Sequence, residues 1–97
     1  MAKYVSLLSW TEQGVKNYKD TIDRAEAARK VAADMGGSLE IHWTVGEVDM
    51  VAISEFADDE TATAFLLKVG SLGNVRSRTM RAFDADEMSR IVGSASG

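Results

Sequence analysis

The order of apolar patterns in this chain predicts an α+β domain of the ferredoxin-like kind, β-α-β-β-α-β. It implies a four-stranded antiparallel sheet with both long helices on one face. Three observations carry the prediction. Residues 38–56 hold two runs rich in β-branched and aromatic residues on either side of Gly46-Glu47, the mark of a hairpin. A helical stripe precedes that hairpin and a second follows it. Strand-like runs stand at both ends of the pattern, the first from Lys3 and the last ending at Phe83.

The first strand is read over Lys3 to Trp10, with Val5 and Leu7 on one face and Tyr4, Ser6, Leu8 and Trp10 on the other. Both faces are largely apolar, which suits a central strand covered on both sides. Thr11 is placed to cap a short helical turn, with Glu12 where the helix dipole favours an acid. Gly14 weakens that turn by roughly 1 kcal/mol relative to Ala. A firmer helix then carries Ile22, Ala25, Ala28, Ala32 and Met35 at spacings of three and four, with Arg24, Glu26, Arg29 and Lys30 toward water. Gly36-Gly37 ends it.

In the hairpin, Leu39, Ile41, Trp43 and Val45 alternate with Ser38, Glu40, His42 and Thr44. Gly46 fits the first position of a type II′ turn, and Val51 and Ile53 alternate with Met50, Ala52 and Ser54 beyond it. Asp58-Asp59-Glu60 opens the second long helix, whose stripe is Ala62, Phe65, Leu66 and Val69. Asn74 to Phe83 forms the last strand, and Asp84 with Glu87 forms a capping box for a short final helix. Residues 1–92 are thus one domain, and 93–97 (Gly-Ser-Ala-Ser-Gly) a flexible tail.

Composition narrows the function classes. The chain of 97 residues has a net charge of −4, which argues against a nucleic-acid partner. Without cysteine there is neither a disulfide nor a thiolate metal site, and no apolar run approaches a membrane span. The opening Met-Ala-Lys-Tyr lacks the apolar region of a signal peptide, so a cytoplasmic protein with no membrane partner is expected.

The face left uncovered by the helices is expected to carry Tyr4, Ser6, Leu8, Trp10, His42, Thr44, Met50 and Ala52. So apolar a face asks for a second copy packed sheet against sheet. His42 is the one side chain with an ordinary pKa near neutrality and is the general-base candidate, with Asp49 as its carboxylate. The alternative is a surface or interface histidine, and an Asp that bonds local backbone amides. Tyr4, Ser6, Thr44 and Trp10 are candidate ligand contacts on the same face, whereas Trp43 falls toward the helices. Arg76, with Asn74, Arg78 and Arg81, is a candidate holder of an anionic group, or else part of a charged edge strand. One histidine and no cysteine point to no metal site.

The chain resembles the GYD domain family over roughly residues 4–83. The likeness rests on Trp10-Thr11 with Gln13-Gly14, Gly36-Gly37, Gly46 and Asp49, Asp58-Asp59-Glu60, Gly73-Asn74-Val75-Arg76, and Ala82-Phe83. It implies a ferredoxin-like fold of the dimeric α/β-barrel group, a homodimer or higher homo-oligomer, and no settled activity. One departure is Val48, where the family has the tyrosine that gives it part of its name.

The leading reading is a small homo-oligomeric protein of unassigned activity. A second is a cofactor-independent oxygenase or isomerase acting on a hydrophobic small molecule. A third is a non-catalytic module for a small hydrophobic ligand. A buried His42 facing a cavity would favour the enzyme, and a cavity with no general base in reach the binder.

Overall fold

The computed structural model describes residues 1–97. The elements run β1 (Ala2–Trp10), α1 (Glu12–Lys16), a 3₁₀ turn (Tyr18–Asp20), α2 (Thr21–Asp34), β2 (Ser38–Trp43), β3 (Met50–Phe56), α3 (Asp59–Gly70), β4 (Val75–Ala82) and α4 (Ala85–Ser96). The sheet has the order β2-β3-β1-β4, with every neighbouring pair antiparallel. This is the β-α-β-β-α-β arrangement the apolar pattern predicts.

The helix starts follow their capping residues. Thr11 accepts from the Gly14 N–H, and Asp58 accepts from both the N–H and the hydroxyl of Thr61. Those two bonds hold the Asp58 carboxyl below the usual carboxylate range. Asp84 and Glu87 close the expected capping box, and the bond from the Asp84 N–H likewise lowers the Glu87 carboxyl.

The core lies between the sheet and helices α2 and α3. Phe56 has no exposed surface and stacks on Phe65 at 5.0 Å and on Tyr4 at 6.5 Å between ring centroids. Ala32 and Ala62 bring the two helices down onto these rings. The Tyr4 hydroxyl donates to Asp59 Oδ1 at 2.6 Å. Burial of the phenol, then this bond to a carboxylate, pushes its pKa up to about 12.

The sheet faces are the reverse of those expected for β1 and β3. Pairing sets Tyr4 opposite Ser54, Ser6 opposite Ala52 and Leu8 opposite Met50. It also sets Ile41 opposite Ala52 and Trp43 opposite Met50. Since directly opposed residues share a face, Tyr4, Ser6, Leu8, Trp10, Met50 and Ala52 all turn toward the helices. The outer face carries Val5, Leu7, Val51, Ile53 and His42 instead. Apolar residues on both sides of β1 leave its orientation open, and the Tyr4 hydroxyl decides it by reaching Asp59. Trp10 and Trp43 therefore share a face, against expectation.

Three local departures also have physical causes. The hairpin pairing centres on Gly46-Glu47, but regular strand stops at Trp43 and resumes at Met50. There Thr44 Oγ1 donates to the Val48 carbonyl, and Asp49 turns to β1. Gly46 meets this loop with φ +146°, a conformation that side chains disfavour. Ile22 is exposed, because Thr21, Arg24, Ala25 and Ala28 form the inner stripe of α2. Residues 93–96 continue α4, where the Ser96 hydroxyl bonds the Val92 carbonyl, so this stretch is helix and not an irregular tail.

Candidate functional site

The sites expected around His42 do not assemble. His42 lies on the outer face opposite Val51, with its side chain 65% exposed and its Nε2 3.4 Å from Glu40 Oε1. Tyr4 and Ser6 are buried on the other face, where Ser6 Oγ meets Thr79 Oγ1 at 2.8 Å. Thr44 is committed to the Val48 carbonyl. Asp49 donates its N–H to the Leu8 carbonyl, while its Oδ2 accepts from the Trp10 N–H at 2.9 Å. The carboxylate thus bonds a backbone amide on β1, far along the chain, and not the local amides of its own turn expected from the sequence. Arg76 is exposed on the edge strand, paired with Ser9 on the outer face.

Of the expected contacts, Trp10 and Asn74 enter a largely apolar cavity. This is a cleft of about 290 Å³ between the sheet and helices α2 and α3. Leu8, Trp10, Ile41, Met50 and Val75 form its floor. Ala25, Ala28 and Val31 of α2 form one wall, and Val69 and Leu72 the other. The small alanines are what leave the space, since larger side chains at those positions would close it. Thr21, Arg24, Lys68 and Asn74 supply the polar part of the lining. No carboxylate or histidine lines it.

At the mouth of the cleft, β1–α1 is clasped to the α3–β4 turn. The Thr11 N–H donates to the Asn74 carbonyl at 3.1 Å, and its hydroxyl to the Gly73 carbonyl at 2.6 Å. Gln13 Nε2 donates to the Leu72 carbonyl at 3.1 Å and to Asn74 Oδ1 at 2.9 Å. A Cβ at position 14 would overlap the Asn74 backbone, so Gly14 permits the approach instead of merely weakening a helix. Arg24 adds a strut, because its guanidinium donates to the carbonyls of Gly14 and Asn17. It is therefore not the free surface residue expected.

The sequence reading passed over Arg24, Lys68, Leu72 and Val75 as cleft residues. A signal for Arg24 was present: with Thr21, Ala28 and Val31 it keeps the spacing of three and four that defines a helix face. Lys68 gives no such sign beyond lying next to Val69 in a helical stripe.

Sheet order, the helical layer on one face and the hairpin together define a ferredoxin-like α+β protein. The chain belongs to the GYD domain family, whose model matches residues 4–92. In structure it is similar to TTHA0845 from Thermus thermophilus, with a TM-score of 0.58 and 23% identity. That match covers 88% of this chain and 96% of the other. It is also similar to At3g17210 from Arabidopsis thaliana, with a TM-score of 0.65 and 10% identity over 88% and 96% of the two chains. At such identities the likeness speaks for the fold. No curated protein matches the chain. No helix is long and apolar enough to cross a membrane.

Proposed function

We propose that the protein is a non-catalytic binder of a small hydrophobic molecule, held in the cleft between the sheet and helices α2 and α3. The cleft itself carries this reading: its wall is predominantly apolar, it is open, and it holds neither carboxylate nor histidine. A volume of about 290 Å³ stands at the lower end of the range ligand pockets occupy. Acid–base chemistry needs a group within hydrogen-bond reach of the reacting atom, and His42 is on the opposite face of the sheet. That separation favours binding over the oxygenase or isomerase reading.

Titration with the neutral fluorophore N-phenyl-1-naphthylamine tests it. Saturable binding with quenching of Trp10 in a Trp43→Phe background is expected. Ala28→Phe, which fills the cleft from α2, should weaken binding at least tenfold while circular dichroism stays unchanged. Equal binding by the folded filled variant, or none by the wild type, would reject the proposal.

A second reading concerns assembly. Val5, Leu7, Val51 and Ile53 form an apolar patch on the face that α2 and α3 leave uncovered. This supports a homodimer joined sheet against sheet, though on different residues from those the sequence pattern selected.

A further inference from the structure

We infer that the ligand of the cleft is an anionic amphiphile, an apolar chain or ring system ending in a carboxylate or similar single negative group. Its apolar body lies on the floor and its head is at Lys68. The inference rests on the binding reading above and adds the sign of the ligand's charge.

The argument starts from an imbalance. The chain holds 15 acidic residues against 11 Lys and Arg, so its surface as a whole repels anions. Yet both charged residues of the cleft lining are basic, Arg24 and Lys68. Their commitments differ. Arg24 spends two guanidinium nitrogens on the Gly14 and Asn17 carbonyls. Lys68 forms none of the ion pairs of the chain, and an ammonium offers three donors and no acceptor.

The remaining polar side chains at the cleft have donors to spare: Thr21 Oγ1 already accepts from the Trp43 indole and keeps its own O–H to donate. Asn74 Oδ1 is already taken by Gln13 Nε2, which leaves the Asn74 amide NH₂ to donate. The indole N–H of Trp10 is buried without any acceptor. A buried donor left unpaired is costly and rare in native folds. A cationic or donor-rich ligand would find little to accept its hydrogens. A neutral hydrocarbon would fill the floor and leave the lysine idle. An anion-tipped amphiphile meets both parts of the lining.

Displacement of bound N-phenyl-1-naphthylamine by decanoate, decanol and decylammonium tests the assignment at low salt and neutral pH. Decanoate is expected to displace the probe at about one-tenth the concentration decanol needs, with decylammonium weakest. Salt should shrink the preference, because it screens an exposed ammonium. Lys68→Gln should weaken decanoate about fivefold and leave decanol unchanged. Equal displacement by decanoate and decanol would overturn the inference while leaving the cleft as a binding site. A preference for decylammonium would do the same. A decanoate preference left undiminished by Lys68→Gln would overturn the role given to Lys68. Failure of the probe itself to bind would remove the binding reading and this inference with it.

Discussion

Tyr4 shows how one side chain can both orient a strand and set a pH limit. Its ring packs on Phe56, its hydroxyl donates to Asp59, and the Arg81 guanidinium stands 5.7 Å from the ring centroid. The folded protein favours the neutral phenol, with a pKa raised from 10.0 to about 12. In the unfolded chain the proton leaves first. The stabilisation is therefore whole below pH 10 and is lost as pH rises from 10 toward 12. A Tyr18→Phe variant isolates this residue. Its phenolate absorbance should appear only near pH 12 in the folded protein, and at lower pH once urea unfolds it. Phenolate absorbance that rises at one pH in both states would contradict the buried hydrogen bond.

Among the elements, the clasp between α1 and the α3–β4 turn makes the sharpest demand on sequence. Gly14→Ala places a methyl group against the Asn74 backbone and must part the two segments. It should lower stability by about 1–3 kcal/mol, as overpacking does. In a surface helix the same change would stabilise by roughly 1 kcal/mol, so urea unfolding decides between the two by sign. Much of the element plan was legible beforehand. The alternation of Leu39 to Val45, the stripe of Ala62, Phe65 and Val69, and the box of Asp84 and Glu87 are local signals with local meaning. The clasp was not legible, because what Gly14 does depends on Asn74, a partner far along the chain. The sheet faces were misjudged for a related reason. With Val5 and Leu7 on one side of β1 and Leu8 and Trp10 on the other, the period of two is present but unsigned. Lys68 escaped notice because an isolated lysine in a helix carries no pattern at all.

For the molecule as a whole, two elements carry apolar side chains outside the core that bear on assembly. The outer sheet face has Val5, Leu7, Val51 and Ile53, and α4 exposes Met88, Ile91 and Val92 along one side. None of the residues of α4 is buried. The principal extents of 52 × 31 × 17 Å describe a thin, elongated body, which has much surface for its volume. Light scattering at micromolar concentration should give twice the chain mass of 10.5 kDa. The pair Leu7→Lys and Ile53→Glu should return it to a monomer that still folds, since both side chains face away from the core. A wild-type monomer at that concentration would refute assembly through this face.

The clasp also bears on how the protein can change over generations. Thr11 and Gly73 bond across 62 positions of sequence, and Gln13 reaches Leu72 and Asn74 beside them. A residue at position 13 that cannot donate leaves two exposed acceptors on the far segment to water and loosens the clasp. A larger residue at position 14 requires the chain at 74 to retreat. Residues 11–14 and 72–74 are thus constrained as one unit: a bulkier residue in one stretch has to be answered by a shift in the other.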